Sequence, residues 1–383
     1  MFPFGSEKWN HSIIKMGKQN ILLISPHLSD HMTDKLMVSL MASEKVNRLT
    51  VAGIARNKKK LSQEKKIIAS FASKKFFSRI PLYPSIFFGI RKLLKNNDIV
   101  ISWTLDIAFL CALATKFFCK KRKKFILLYS DVHPLCTCNK FYAKIFQAIE
   151  KFTAKQANAV AFTSPYFRTE YFGRMLNLDI KNHHSLENKI SKDHAQKIFK
   201  KYNPDRRDIS KIRIGYFGIL AYKDTYNFMI KAARCGIYTY FRGRLLSSIA
   251  ESPAPELNYG GEYKNPDDFP EMFETINMSY IVHDFHPNTN TQWAMSNRFY
   301  DALMMKTPIV VQKGTASEKF VLENDIGISI DIYDEEKSIE TLCNIKPEDI
   351  SRWISNISKL DEHCWRLTDE ISNLIEKVDL DTV

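Results

Sequence analysis

The sequence predicts an α/β protein made of two doubly wound parallel sheets, and three observations support this fold class. Short apolar runs alternate with longer helical patterns, a polar stretch near the middle of the chain interrupts them, and the alternation then starts again. A chain of 383 residues with 45% hydrophobic residues also provides enough material for two cores. We therefore expect two α/β domains that face a central cleft.

The first domain is expected at residues 1–190. Its apolar runs have the length of strands, and each is followed by a helical pattern, which is typical of parallel strands joined by crossover helices. The predicted strands are Asn20–Ile24, Leu49–Ala52, Ile99–Ser102, Phe125–Tyr129 and Ala159–Thr163.

A polar, lysine-rich section at residues 181–210 is interpreted as a linker, and the second domain is expected at residues 205–350. Its predicted strands are Ile212–Phe217, Ile237–Phe241, Leu257–Tyr259, Met278–Val282, Ile309–Val311 and Ile328–Ile330. Residues 351–383 are expected to form a helical tail that packs back toward the first domain. The last helix is expected to run from about Pro347 to Lys377.

The segment 296–311 carries the most specific local signal. Ser296 suits a helix N-cap, apolar residues then repeat at helical spacing, and Thr307-Pro308 ends the helix before a β-branched strand. The first turn of such a helix favours an anion such as a phosphate. Asp301, about one turn in, can accept two hydrogen bonds from a vicinal diol such as that of a ribose. An ordinary helix-to-strand corner explains the same residues.

Polar residues also follow several other predicted strands. Because the carboxyl ends of parallel strands share one edge of a sheet, these residues are expected to line the cleft. They are His27, Trp103 and the segment 130–133 in the first domain, and the segment 218–223, Arg242, Arg244 and the segment 283–286 in the second.

The order of these motifs resembles that of the GT-B glycosyltransferases, above all family 4 as used in bacterial polysaccharide and lipopolysaccharide assembly. The resemblance covers most of the chain and implies two Rossmann-like domains, an N-terminal one that binds the acceptor and a C-terminal one that binds a nucleotide sugar. It rests on the segments 98–103, 124–133, 150–164, 214–218, 259–262, 272–282, 296–311 and 323–330, together with Lys223.

Taken position by position, the resemblance gives Asp301 the place of the acid that holds the donor ribose, and Lys223 that of the lysine that neutralises the diphosphate. Gly218 would let backbone approach the phosphates, and Ser296 and Asn297 would add contacts to the donor.

In the first domain, the same resemblance places His133 near the transferred sugar and the acceptor, with Asp131 in the same loop as a second catalytic candidate. A histidine held by a neighbouring backbone group is the alternative for His133. His27 and Trp103 are expected to contact the acceptor.

Two departures from the family pattern affect the donor side. Trp293 stands where the family commonly has a glutamate, and it would either stack on a sugar or simply pack. The phosphate loop lacks the usual arginine, since Ile219 follows the glycine, and we expect Arg242 or Arg244 to replace it.

The formal charge of +14 is concentrated in one stretch, because residues 51–100 hold 12 Lys or Arg against two acids. Bulky apolar residues are interleaved with these cations, so residues 56–95 are expected to contact an anionic membrane surface. A solvated basic face without a partner is the alternative. No nucleic-acid partner is expected, because the chain lacks a recognition motif of the known kinds.

The N-terminal residues lack the basic-then-apolar order of a signal peptide, and no run approaches the ~18 apolar residues of a membrane span. Seven cysteines without regular spacing suit a reducing compartment. We expect a cytoplasmic protein, peripheral on the inner membrane face.

Metal chemistry is not expected. His283 with His286, and His133 with Cys136 and Cys138, do not complete a standard ligand set. The resemblance implies a retaining, metal-independent glycosyltransferase without a cofactor, which moves a sugar from a nucleotide diphosphate onto a glycan acceptor, expected to be lipid-linked. A catalytically reduced binding module of an assembly complex and a sugar-nucleotide epimerase of the same fold are the alternatives.

Overall fold

Two parallel sheets form the frame of the computed structural model, which describes residues 18–28, 31–56, 65–71, 76–118 and 123–380. The first sheet has seven strands and the second has six, and all paired strands are parallel. The predicted fold class is confirmed.

The first sheet has the strand order β3-β2-β1-β4-β5-β6-β7, so the direction of winding changes between β1 and β4. In chain order its elements are β1 Gln19–Ser25, α1 His31–Ala42, β2 Val46–Arg56, β3 Lys65–Phe71, a 3-10 helix Phe76–Leu82, α2 Tyr83–Leu94, β4 Ile99–Ser102, α3 Leu105–Phe118, β5 Lys124–Tyr129, α4 Pro134–Thr137, α5 Ala143–Gln156, β6 Ala159–Phe162, a π-helix Phe167–Met175 and β7 His183–Ser185.

The second sheet has the order β10-β9-β8-β11-β12-β13, and its winding changes between β8 and β11. The remaining elements are α6 Lys192–Phe199, a 3-10 helix Pro204–Arg206, β8 Arg213–Leu220, α7 Lys223–Arg234, β9 Tyr238–Leu245, β10 Asn258–Tyr259, α8 Phe269–Thr275, β11 Met278–Ile281, α9 Asn290–Trp293, α10 Asn297–Met304, β12 Ile309–Gln312, α11 Ala316–Glu323, β13 Gly327–Ile330, α12 Glu335–Cys343, α13 Pro347–Lys359, a 3-10 helix Glu362–Cys364 and α14 Glu370–Leu380.

The interior strands are buried on both faces, which explains their continuous apolar sequences. On β1, Leu22 and Ile24 pack with α2 and α3 on one face of the first sheet. Ile21 and Leu23 pack with α1 and α14 on the other face. The first sheet therefore has a layer of helices on each side.

Three elements were not predicted from the sequence. The strand β3 begins with Lys65-Lys66 and lies at a sheet edge, where a strand does not require a continuous apolar run. The section interpreted as a linker contains α6, which buries Ala195 and Ile198, and the edge strand β7, whose backbone pairs with β6. The linker interpretation is therefore wrong for residues 183–199.

The predicted last helix is two helices. Ile350 and Trp353 of α13 pack into the core of the second domain, whereas Leu374 of α14 packs against the first sheet. Leu360 ends α13 with an extended backbone. This break lets the chain pass from the second domain back to the first.

None of the helices in the described ranges is both long and apolar enough to cross a bilayer. Of the stretch that was expected to contact a membrane, Lys58–Lys60 and Lys74-Lys75 lie outside the described residues, as does the N-terminal segment 1–17.

Candidate active site

A cleft with a cavity of 790 Å³ lies between the two domains. This volume is in the usual range for a site that binds a small molecule or cofactor. The first-domain wall contains Asp34, Lys35 and Val38 of α1, residues between 188 and 197 form one side, and the second-domain wall contains Phe217, Gly218, Ile219, Tyr263, Asn265, Pro266, Ser296, Asn297, Arg298 and Asp301.

Gly218 lies near the end of β8, where backbone borders the cleft. Its φ is +132°, a conformation that favours glycine. The paired Gly243 on β9 has the same φ, and a Cβ there would lie 1.9 Å from the Gly218 carbonyl oxygen. Apart from Gly218 and its two chain neighbours, no described residue has an atom within 4 Å of the place where a Cβ of Gly218 would be. The backbone is thus open to a ligand at this point.

Helix α10 begins at the cleft. Ser296 is the N-cap residue, but its hydroxyl makes no capping bond and is buried without a hydrogen-bond partner among the described residues. Asn297 follows as an exposed residue. A bound anion would satisfy a buried hydroxyl beside the first N–H groups of a helix.

Asp301 lies one turn further along α10 and interacts with a cation of the opposite wall. Burial raises the pKa of Asp301 to about 7, and the charges of Lys35 and Arg298 oppose this rise. Burial lowers the pKa of Lys35 to about 8, and Asp301 opposes that change. Because Lys35 belongs to α1, this pair links the two walls electrostatically.

Arg298 adds a second cation to the wall. Its guanidinium carbon lies 4.0 Å from the centroid of the Tyr216 ring. Its Nη2 atom lies 3.0 Å from Nδ1 and 3.1 Å from Nε2 of His283. Burial and the charge of Arg298 hold the pKa of His283 well below its usual range, so this histidine is neutral. The contacts fix the guanidinium at the start of α10.

The other predicted cations lie elsewhere. Lys223 is exposed at the first position of α7, and Arg244 is exposed near the end of β9. Arg242 is buried, and its Nη2 atom lies 3.0 Å from a carboxylate oxygen of Asp268 and 3.0 Å from the Glu262 carbonyl oxygen. The described residues that line the cavity do not include these three.

The segment before α10 is attached to the first domain. Asn290 accepts a hydrogen bond from the Val132 N–H at 2.9 Å and donates one to the Asp131 carboxylate at 2.9 Å. Asp131 therefore bridges the two domains beside the cleft.

Trp293 continues this attachment. Its side chain is only 1% exposed, packs within the first-domain core, and lies 5.7 Å from the ring of Tyr171. The Ser164 hydroxyl donates to the Trp293 carbonyl at 2.6 Å. The sequence left two roles open for Trp293, stacking on a sugar and packing, and in the structure it packs. The expectation that Trp293 contacts the donor is therefore corrected.

His133 caps the short helix α4. Its Nδ1 atom accepts a hydrogen bond from the Leu135 N–H at 3.2 Å, so the proton of the neutral ring lies on Nε2. Burial lowers the pKa of His133, and the charge of Asp106 opposes this. The ring is thus held by a neighbouring backbone group, as in the alternative that the sequence left open.

His27 belongs to a polar cluster near the ends of β1 and β4. The Nη2 atom of Arg79 lies 3.1 Å from Nε2 of His27, and its Nη1 atom lies 3.2 Å from the Asp106 carboxylate. Tyr83 donates to the same carboxylate at 3.2 Å. Both members of the Arg79–Asp106 pair are buried. Their charges also act on His133, so the two histidines belong to one electrostatic cluster.

Trp103 does not reach the cleft. It is 3% exposed and packs in the first-domain core on the side of α1 and α14. The indole fills the space between the sheet and these helices, so the expectation that Trp103 contacts an acceptor is corrected.

Within the described part of the chain, no group of three or more His, Cys, Asp or Glu side chains is arranged to hold a metal ion. Of the histidines considered for metal binding, His283 contacts Arg298 and His133 caps a helix.

Sequence reasoning missed the four Lys and Arg residues that line the described cavity, Lys35, Lys189, Lys197 and Arg298, and the first and last of these act on Asp301. Arg298 precedes Asp301 by three residues. This spacing places both residues on one face of a helix, so the sequence contained a signal for Arg298. Lys35 follows no predicted strand directly, and only the approach of the two domains brings it to Asp301.

Two doubly wound, Rossmann-like domains that face a cleft, with a terminal helix that returns to the first domain, define the class of this protein: the chain has the GT-B fold that the resemblance implied. Similar solved structures include HepE of Anabaena in complex with UDP and glucose, with a TM-score of 0.66, 12% identity, and coverage of 95% of this chain and 100% of that one.

A sucrose-phosphate synthase of Thermosynechococcus elongatus has a TM-score of 0.64, 11% identity, and coverage of 95% of this chain and 97% of that one. A UDP-forming trehalose-phosphate synthase of Burkholderia vietnamiensis has a TM-score of 0.63, 8% identity, and coverage of 96% and 99%. At these identities the likeness establishes the fold.

By sequence, the chain is 21% identical over 368 residues to the succinoglycan biosynthesis protein ExoL of Rhizobium meliloti (strain 1021), which covers 90% of this chain and 89% of ExoL. No family model matches the chain.

Proposed function

We propose that the protein is a glycosyltransferase that moves a sugar from a nucleotide diphosphate donor to a glycan acceptor in bacterial polysaccharide assembly. The observation that carries this proposal is the composition of the second-domain wall. Four groups border one cavity: the open backbone at Gly218, the cation of Arg298, the carboxyl group of Asp301 and the buried Ser296 hydroxyl, which has no hydrogen-bond partner in the described part of the chain.

We propose one orientation for the donor on this wall. The ribose diol would donate to Asp301, and the diphosphate would lie at the start of α10 between Gly218 and Arg298. Lys223 at the start of α7 is exposed beside the same strand end and would add positive charge. Arg298 would thus supply the cation that the phosphate loop lacks.

The reaction follows from charge development on the diphosphate. The bond between the sugar carbon and the phosphate oxygen breaks, a bond from that carbon to an acceptor hydroxyl oxygen forms, and the hydroxyl proton passes to the leaving diphosphate. Fixed cations and helix N–H groups at the diphosphate stabilise this transition state more than the ground state. We propose retention of configuration and no resident metal for this step.

The names of similar proteins indicate which substrates to test first. ExoL is named for succinoglycan biosynthesis, and HepE was solved with UDP and glucose. We therefore propose UDP-sugars first, with a lipid-linked glycan as acceptor at the inner face of the cytoplasmic membrane.

The test is a thermal-shift panel of the purified protein with UDP, GDP, CDP and ADP and their common sugar conjugates, with and without EDTA. We expect one nucleotide family to raise Tm equally in both conditions, and Asp301→Ala to abolish the rise. No response to any nucleotide would contradict a donor site and favour a binding module without catalysis. Product analysis of the responding donor without an acceptor would reveal an epimerase.

A further inference from the structure

One layer of helices on the first domain has a charged and apolar outer surface that the cleft does not use. It consists of α2, α3 and α5, which pack side by side on one face of the first sheet, together with the turn that precedes α5. We call it the basic aromatic face, and define it by Phe88, Arg91, Lys92, Lys116, Phe117, Lys140, Phe141, Lys144, Ile145 and Lys155, all of which are exposed.

Large apolar side chains protrude from this face. Phe141 is 84% exposed, Phe117 64%, Phe88 59% and Ile145 56%. Single exposed apolar residues are ordinary, but four large ones on one helical layer are typical of an interaction surface.

The charge of this face has one sign. The acids in α2, α3 and α5 are Asp106 and Glu150, and both are buried. The opposite layer of the same sheet differs, because α1 and α14 carry exposed or partly exposed acids such as Asp34 and Glu376, and Glu376 pairs with Lys45 at 3.3 Å. The helices α2, α3 and α5 therefore carry no exposed carboxylate among their described residues. The partly exposed Glu170 of the π-helix, which packs on the same face of the sheet, pairs with Arg174 at 3.0 Å.

We propose that the basic aromatic face binds the surface of an anionic lipid bilayer. Its lysines would meet the headgroups while the phenylalanines and Ile145 enter the interface. Ile145 argues against a nucleic acid, because an aliphatic side chain has no ring face on which a base can stack. Most of this face lies beyond the stretch 56–95 that the sequence indicated.

The position of the face suits the proposed transfer reaction, on which this step of the inference depends. The chain passes from His133 through α4 to Lys140 and Phe141, and Gln147 of α5 donates to the Cys136 carbonyl at 2.7 Å. The start of α5 is thus tied to the loop of the first-domain cluster. A lipid-linked acceptor held in the same bilayer would be presented on this side of the cleft.

The test uses the purified full chain and sedimentation with vesicles of phosphatidylcholine alone or mixed with phosphatidylglycerol. We expect binding to the anionic vesicles that high salt reverses. Lys116→Gln, Lys140→Gln and Lys144→Gln together should weaken it by at least about tenfold. Phe117→Ser with Phe141→Ser should weaken it at every salt concentration.

A matched control neutralises three exposed lysines of the second domain, Lys211→Gln, Lys313→Gln and Lys337→Gln, and should leave binding unchanged. An equal loss of vesicle binding in this control would show that net charge alone accounts for the binding, and it would overturn the proposal. Binding to an oligonucleotide but not to vesicles, or a dimer that the phenylalanine variants dissociate, would also overturn it. Vesicle binding requires neither donor nor turnover, and the nucleotide thermal shift of the same variants reports separately on the cleft.

Discussion

The second-domain wall of the cleft and the polar cluster of the first domain are built in different ways. The proposed donor wall, formed by Gly218, Ser296, Arg298 and Asp301, comes from one strand end and one short helix. It includes a carboxyl group with a raised pKa and a buried hydroxyl that has no hydrogen-bond partner among the described residues. The polar groups of the first-domain cluster are instead bonded to one another, since the Arg79–Asp106 pair is buried with bonds to His27 and Tyr83.

This difference has a functional consequence. A ligand on the donor wall replaces missing interactions, whereas a ligand at the first-domain cluster of His27, Arg79, Asp106 and His133 must compete with existing ones. Donor affinity should therefore depend on single residues of the second domain. Substitutions in the first-domain cluster should leave donor binding intact and change transfer or stability.

Asp301→Ala should have the largest effect. In the proposed site it removes the acceptor of two hydrogen bonds from the ribose, each of which involves a charged group, so kcat/KM for the donor should fall about a thousandfold. Steady-state kinetics with the responding nucleotide sugar measure this loss, and Asp301→Asn should recover part of it. Full turnover of the alanine variant would remove Asp301 from the donor site.

Arg298→Gln comes next, with an expected loss of about a hundredfold in kcat. The cation acts on the charge that develops as the diphosphate leaves, so kcat should fall more than donor affinity does. Arg244→Gln is the matched control, because Arg244 is an exposed arginine of the same domain that does not line the described cavity. Equal kinetics for the two variants would show that Arg298 does not stabilise the leaving diphosphate.

His133 separates a structural role from a catalytic one. Asparagine can accept the Leu135 N–H bond at an N-cap, as the imidazole does, but it lacks the ring Nε2. If Nε2 acts on the reacting groups, His133→Asn should keep the Tm of the protein and lower kcat about thirtyfold. Alanine at this position should lower both. Wild-type kcat in the asparagine variant would leave His133 with the capping role alone.

The pH dependence of donor binding should be smaller and should follow Asp301. Its pKa of about 7 lies above the ordinary value, so the carboxylate that accepts two bonds is lost as pH falls through 7. Affinity for the nucleotide sugar should be about tenfold weaker at pH 6 than at pH 8, because at pH 6 Asp301 is ionised in only about a tenth of the protein molecules.

Titration calorimetry across this range measures the effect, and Asp301→Asn should make the profile flat. Lys35→Met should shift the midpoint to higher pH, since it removes a charge that favours ionised Asp301. A midpoint that stays in place would show that Lys35 does not act on Asp301.

The sequence predicted the donor wall better than the first-domain cluster for a physical reason. The cap, the helical spacing and the strand that surround Asp301 are local features, and the helix forms as expected. Trp293 and Trp103 were misassigned because burial of an indole depends on which elements pack over it. The edge strand β7 and the helix α6 were missed because they require few apolar residues.

Trp103→Phe should have the smallest effect. If the indole serves only to fill the core beneath α1 and α14, a smaller aromatic ring lowers the free energy of unfolding by about 1 to 2 kcal/mol and leaves a small space. The KM for the acceptor and the affinity for the donor should then stay within a factor of about two, which corresponds to less than ~0.5 kcal/mol. A large rise in acceptor KM without loss of stability would instead mean that the first domain exposes this residue during turnover, and the two regions would then be less different than their geometry indicates.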